Sequence, residues 1–394
     1  MKLKNLLSLL VFFPIFTACI YSDKNKNRQD IYHTGFLIDS MYVFDLSASI
    51  GRNPADTFVL NSIVDRVQFI PLETSKQSFF DNYAYRLTVT AENYFISGGV
   101  LNNKIIQFDH VGNYISEVVR TGRGPGELPI IMRWNVNKTL NMLYALDHKV
   151  VIKSFTNGDI FDVVFENMPG YSIALLNDGS FVFAKQAGLG KRNADIPYLT
   201  FYDSHGKVIR SVHYTYNRDV DYDLPEGEAN PNEFYRLETN YRDDALFYDI
   251  YNDTIFCIKN KNSIIPYVVL ERGKYFPNIK DIRDKDRKAK QIYFRAMMET
   301  EKFFVIKYYY NKLLYTDFWD KSSLNVVSRT ETSVEVIQQF NARYKLPDGS
   351  ETILNILNAD KDKLYCLLEA SEVRNFMDIA EDANPVIMIL HLKP

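Results

Sequence analysis

Chemistry on this chain of 394 residues would have to come from a few scattered side chains. His148 follows Asp147 at the end of an apolar run, which sets an imidazole beside a carboxylate near one open face. His110 and His205 stand beside Asp109 and Asp203 in turns that match each other, where polar residues are expected for turn reasons alone. The carboxylates Asp147, Asp249, Asp317 and Glu369 each end or follow an apolar run, so together they could line one rim and hold a hard cation of the calcium type. Acidic residues at strand ends are equally ordinary solvated turn groups. Trp134, Tyr241 and Trp319 offer flat apolar faces with polar edges, a combination that suits sugar rings and peptide side chains. For Trp134, packing in a core is the competing role.

Several chemistries lack their signature. No histidine pair has the HExxH spacing, no CxxC suggests a structural zinc, and no Gly-x-Ser-x-Gly elbow is present. The run Gly122, Arg123, Gly124, Pro125, Gly126, Glu127 is glycine-rich, yet Pro125 and the absent Lys/Ser pair set it apart from a phosphate-binding loop. Three glycines and a proline in five positions force a sharp turn. Glu127 would then accept hydrogen bonds from exposed turn amides. Net charge is −3 with the signs interspersed, which gives no nucleic-acid footprint.

The elements that must position these residues are short β-like runs. They cover 85–90, 94–97, 104–108 and 114–119, and after the glycine-rich joint they repeat at 133–137, 143–146, 150–155 and 160–165. Phe108, Phe155 and Tyr202 precede turns ending at Gly112, Gly158 and Gly206, which lie 46 and 48 residues apart. A period of about 40–50 residues with four strands per unit marks a β-propeller. Later units run through 233–237, 245–248, 254–258 and 264–270, then 303–309, 313–318 and 325–329, then 352–357, 363–368 and 386–392. The fold predicted for 61–394 is therefore all-β, a six-bladed propeller of four-stranded blades. Its ring is closed by the strand at 67–70 pairing into the last blade, which protects both sheet edges. One helical insertion is predicted over 281–298, where Ile282, Ala289, Ile292, Tyr293 and Ala296 share an apolar face.

At the other end, Lys2 and Lys4 precede an apolar run over 6–15 and then Phe16, Thr17, Ala18, Cys19. A basic start, a short apolar core and small residues before the cut describe an export signal over 1–18. Thr17 and Ala18 before Cys19 resemble a lipobox, in which the cysteine carries the lipid; Phe16 replaces the usual leucine. Residues 19–60 read as a polar tether and N-terminal extension. Cys257 and Cys366 lie in apolar runs, and buried free thiols are the expectation over a pairing between them.

Four segments carry a family resemblance: Phe69 to Thr74, the Gly122 to Glu127 joint, Asn252 to Phe256, and Asn384 to Met388. With them the chain resembles the six-bladed β-propeller lipoproteins of Bacteroidetes, distant relatives of NHL-repeat propellers. At Leu128 it departs from the aromatic frequent there. The resemblance implies an envelope location, as an outer-membrane lipoprotein facing the periplasm or the surface, and no set activity. The resulting expectation is a non-catalytic binding or scaffolding protein, held to the membrane by its lipid and engaging a glycan, a peptide or an envelope protein. The alternative is a metal-dependent, lactonase-like hydrolase or a lyase on the same fold, which would need three or four ligands converging on the central channel.

Overall fold

Each apolar run of the repeat becomes a strand in one of six antiparallel blades in a computed structural model of the chain. It describes residues 35–38, 40–50, 60–79, 86–98, 104–165, 172–184, 198–213, 235–249, 251–278, 281, 284–333 and 340–394. The export signal, Cys19 and the polar tether lie outside the described residues.

The first strands of the chain belong to blades formed much later. A hairpin of β1 (Gly35–Ile38) and β2 (Met41–Asp45) is followed by a short helix α1 (Leu46–Ile50) and by β3 (Val64–Pro71). Blade 1 is β4 (Arg86–Val89), β5 (Asn93–Ser97), β6 (Lys104–Asp109) and β7 (Tyr114–Arg120). Blade 2 is β8 (Arg133–Asn137), β9 (Met142–Leu146), β10 (Val150–Ser154) and β11 (Ile160–Val163). Blade 3 is β12 (Ser172–Leu175), β13 (Phe181–Ala184), β14 (Leu199–Tyr202) and β15 (Val208–Val212). Blade 4 is β16 (Tyr235–Thr239), β17 (Ala245–Asp249), β18 (Thr254–Asn260) and β19 (Ser263–Glu271), and β2 adds to its outer edge in parallel. A helix α2 (Lys285–Ala289) leads into blade 5: β20 (Tyr293–Glu299), β21 (Phe303–Tyr310), β22 (Leu313–Asp320) and β23 (Val326–Thr332). Next, β24 (Phe340–Lys345) pairs with the first half of β25 (Glu351–Ala359). Blade 6 continues through β26 (Lys363–Leu368), the short helix α3 (Ala370–Val373) and β27 (Val386–Leu392). It ends on β3, which pairs antiparallel with β27 from Val64 to Pro71 and closes the ring as expected.

Each interface between neighbouring blades, among the described residues, holds its own apolar cluster. Between blades 1 and 2, for example, Phe95, Ile105 and Val119 meet Trp134, Leu143 and Val151. Between blades 6 and 1, Ile70, Ile387 and Ile389 meet Leu87, Ile96 and Phe108. The three inner strands of blade 3 are thus buried on both faces, so β12, β13 and β14 are buried at every position and show no alternation, Ser172 and Thr200 being their only polar residues. That burial also explains a correction. The helix expected over 281–298 is confined to Lys285–Ala289, and Tyr293–Glu299 is the inner strand of blade 5. The residues there are good helix formers, but pairing with β21 and burial on both faces override that preference.

The closure is clamped by two of the segments quoted above. Asn384 donates its backbone N–H to Thr74 Oγ1 (2.8 Å), and its side-chain amide reaches the carbonyls of Glu73 (2.7 Å) and Ser78 (3.0 Å). Glu73 in turn accepts from Tyr114 N–H through Oε2 (2.9 Å), tying blade 6 to blade 1. Gly112 adopts φ +94°, and a Cβ there would lie 2.2 Å from the Pro71 carbonyl oxygen. The landmark glycine is therefore a requirement of blade-to-blade approach.

Candidate functional site

Six inner strands, β4, β8, β12, β16, β20 and the second half of β25, run side by side around the central channel. The end at which they begin is called upper here, and the end at which they finish lower. A cavity of about 140 Å³ follows this channel and is lined by residues of every blade. The glycine-rich joint delivers β8 to it. Gly122 N–H donates to Leu128 O (2.9 Å), Gly124 N–H to Glu127 Oε2 (2.9 Å), and Arg120 Nε pairs with Glu127 Oε1 (3.1 Å). The Glu127 carboxylate lies so close over Gly122 that a Cβ at 122 would collide with it at 1.9 Å. The joint sets the position of Arg133 and Trp134.

The upper half is cationic. Arg86, Arg133 and Arg236, from blades 1, 2 and 4, line the cavity together with one carboxylate, Glu238. Arg86 donates from Nη1 to Trp134 O (3.0 Å), and the Tyr248 hydroxyl, near the Arg236 charge, donates to Arg295 O (3.1 Å). Burial and the nearby Arg133 charge push the Arg86 guanidinium down to about 10. Midway, Asn135 Nδ2 donates to Thr239 Oγ1 (2.8 Å) while Thr88 Oγ1 donates to Asn135 Oδ1 (3.2 Å), which joins blades 1, 2 and 4 across the channel.

The lower half is a hydrogen-bonding surface. Glu299, the last residue of β20, has a fully buried side chain. Its Oε1 accepts from Tyr267 Oη (2.5 Å) and Lys321 Nζ (2.6 Å), with Arg242 Nη2 at 3.7 Å. Burial and the Glu299 charge raise the Tyr267 hydroxyl far above its ordinary range, and burial pulls the Lys321 ammonium down. Three residues of the cavity lining each bury a polar atom that has no hydrogen-bond partner among the described residues: Asn240 Nδ2, Glu299 Oε2 and Asn358 Oδ1. The amide orientations are fixed by their other atoms, since Asn240 Oδ1 accepts from Arg242 N–H and Asp244 N–H and Asn358 Nδ2 donates to Leu87 O. Below them, Lys138 pairs with Asp360 (3.3 Å), and Thr139 donates twice to Asp243.

Two of the sequence-predicted residues reach this cavity and three do not. Trp134 lines it while buried to 4 % exposure, with its indole N–H on Ser97 Oγ (2.8 Å). Tyr241 lies at the lower rim, its ring between Arg242 (5.2 Å) and Lys321 (5.6 Å). Asp147 and His148 form their own exposed pair (3.1 Å) in the β9–β10 turn and stand apart from the cavity. Trp319 cannot serve as a binding face: it is fully buried, packed on Phe44 of β2 at 4.6 Å. Its cover comes from a strand more than 250 positions earlier, which no local pattern announces.

The four carboxylates proposed for a cation are likewise separate. Asp317 is buried in a two-point pair with Arg329 (2.7 and 2.6 Å) and accepts from Tyr308 Oη (2.9 Å). Asp249 accepts from Tyr251 N–H (2.8 Å), and Glu369 caps α3. Among the described residues no three His, Cys, Asp or Glu side chains come together as metal ligands. Cys257 and Cys366 are both buried and unpaired. Sequence reasoning missed Arg86, Arg133, Arg236, Glu238, Asn240, Glu299 and Asn358. They come from different blades, and their only shared signal is placement on, or just beyond, inner strands.

Residues 41–391 match a protein family described as a domain of unknown function, DUF4934. No curated protein sequence is significantly similar to the chain. Among solved structures, a Bacteroides fragilis NCTC 9343 protein inferred to be exported superimposes with TM-score 0.63 at 15% identity, covering 86% of this chain and 97% of that one. A member of the DUF4221 family from Bacteroides vulgatus aligns with TM-score 0.50 at 10% identity, covering 84% and 97%. These likenesses show the propeller fold. No helix among the described residues is long and apolar enough to cross a membrane.

Proposed function

The chain belongs to the DUF4934 family, and from its channel we propose that this member is an exported, lipid-anchored propeller that binds a ligand in the channel without transforming it. The observation that carries this reading is a channel cavity whose lining residues Asn240, Glu299 and Asn358, from blades 4, 5 and 6, each bury a polar atom left unpartnered among the described residues. A buried polar atom left unpaired costs about 1–3 kcal/mol. Three of them in side chains that line one cavity are a standing demand that a polar guest or ordered water would meet by entering between those side chains. Glu299 is further held rigid by Tyr267 and Lys321, the preorganisation that a binding site needs. Anchoring rests on Lys2, Lys4, the apolar run over 6–15 and Cys19, and the fold it shares with an inferred exported protein agrees with that address.

Two experiments test this. Printed glycan and peptide libraries probed with the full chain should give a discrete set of binders, lost together in the Asn240→Ala and Glu299→Gln variants. Binding that survives both substitutions would place the site elsewhere. For the anchor, metabolic labelling with a radioactive fatty acid should mark the wild type and not Cys19→Ala; equal labelling of the two would remove the lipid from the account.

A further inference from the structure

We infer that Lys138 and Asp360 form a latch across the lower mouth of the channel, and that solutes enter by this mouth when the latch parts. The inference concerns how the site proposed above is reached, so it rests on that reading. The lower mouth is ringed by the turns that follow the six inner strands, at 90–92, 138–141, 176–180, 240–244, 300–302 and 360–362, all of them among the described residues. In a ring of six, the neighbours of blade 2 are blades 1 and 3. Its inner turn nevertheless reaches blades 4 and 6. Thr139 donates from its N–H (2.9 Å) and from Oγ1 (3.0 Å) to Asp243 of blade 4, and Lys138 Nζ meets Asp360 Oδ1 of blade 6 at 3.3 Å. Contacts between inner turns of blades that are not neighbours pass across the channel, and Lys138 and Asp243 both line its cavity.

The two contacts differ in how firmly they hold. Asp243 is buried to 4 % exposure, and hydrogen bonds to a buried carboxylate are among the stronger kind, so the Thr139 contact is the fixed side of the mouth. The turn behind it is braced as well, since Leu140 N–H donates to Asn137 Oδ1 (2.8 Å) and Phe155 N–H donates to Asn141 O (3.0 Å). Lys138 and Asp360 keep 22 % and 37 % of their side chains exposed, and an ion pair open to water in this way holds weakly and is screened by salt. Lysine spans the gap on a flexible four-carbon stem, which swings away by rotamer changes with the backbone in place. The Lys138–Asp360 contact is therefore the part of the mouth that parts first.

Acrylamide quenching of the full chain reads the opening, because Trp134 lines the cavity while Trp319, the second of the two tryptophans, is sealed in blade 5. Lys138→Ala and Asp360→Asn should each raise the Trp134 quenching constant about two- to five-fold, and the double variant should go no further, since each substitution breaks the same pair. Lys138→Arg keeps the cation and should stay near wild type. Wild type in about 1 M NaCl, where charges are screened within about 3 Å, should approach the two variants, and salt should leave the variants unmoved. Trp134→Phe should abolish the whole response. Quenching that neither substitution nor salt changes would show that solutes reach the channel by another way, and would overturn the latch. A double variant whose gain is the product of the two single gains would overturn it too, because the residues would then act separately. Library binding that persists after such a failure leaves the channel a binding site. A latch that responds while the printed libraries stay silent would instead remove the ligand and keep the gate.

Discussion

Asp317 shows how a residue with the right chemistry can be committed elsewhere. Its carboxylate and the Arg329 guanidinium are buried together, and Arg329 also donates to the Ser49 carbonyl (2.9 Å), so the pair fastens α1 to blade 5. Asp317→Asn leaves the guanidinium without its counter-charge and should cost about 3–5 kcal/mol in urea unfolding. A loss under about 1 kcal/mol would show that the pair contributes no more than a surface ion pair. The thiols make a second case. Burial pushes Cys257 up to about 12 and Cys366 higher still, so neither should react with iodoacetamide at pH 8 in the folded protein, while both should in denaturant. Rapid alkylation of the native chain would contradict their burial. His391 gives the pH dependence its sign: burial first, then the charges of Arg66 and Lys363, lower its pKa below 6.5, against smaller opposing effects of Asp362 and Asp65. The unfolded chain then binds this proton more readily than the folded one. Stability from this residue is present above about pH 6.5 and is lost as the pH falls through the folded value. Denaturant midpoints measured from pH 7 to 5 should fall less steeply in His391→Gln than in wild type, and parallel curves would refute the assignment.

Turns and closing strands are the elements on which the ring depends. Gly112→Ala should destabilise by about 1–3 kcal/mol, since it combines a left-handed backbone with a Cβ pressed into the Pro71 carbonyl. Asn384→Ala removes the amide that bridges Glu73 and Ser78 and should cost a similar amount, about 1–3 kcal/mol, by leaving the Ser78 carbonyl unpaired while Ser78 Oγ still serves the Glu73 carbonyl. A neutral result for either in denaturant unfolding would mean that the blade 6 to blade 1 contact is not where the ring is held. These elements were legible in the sequence because turn chemistry is local: the spacing of Gly112, Gly158 and Gly206 reports the blade repeat directly. What stayed illegible has a physical cause too. The inner strand Tyr293–Glu299 carries no alternation because both of its faces are covered. The β1–β2 hairpin earns its place through parallel pairing with β19, more than 200 positions away, and the burial of Trp319 follows from that pairing.

At the scale of the whole molecule, the ring turns distance in sequence into proximity. Arg86, Arg133, Arg236 and Glu299 share no motif and no spacing, yet inner strands around one channel bring them to one cavity. Candidate residues chosen for local chemistry, such as Asp147 with His148, therefore landed on an outlying turn, while the channel groups escaped notice. The apolar clusters between blades hold the inner strands in place, so the channel lining is rigid without a dedicated scaffold of its own. Calorimetric titration of the full chain with a binder found in the printed libraries, followed by recovery of that binder and its mass spectrum, tests the central claim most directly. Saturable binding of the chemically unchanged binder, weakened about ten-fold or more in Glu299→Gln, is the predicted result; binding indifferent to Glu299→Gln, or conversion of the binder, would contradict it.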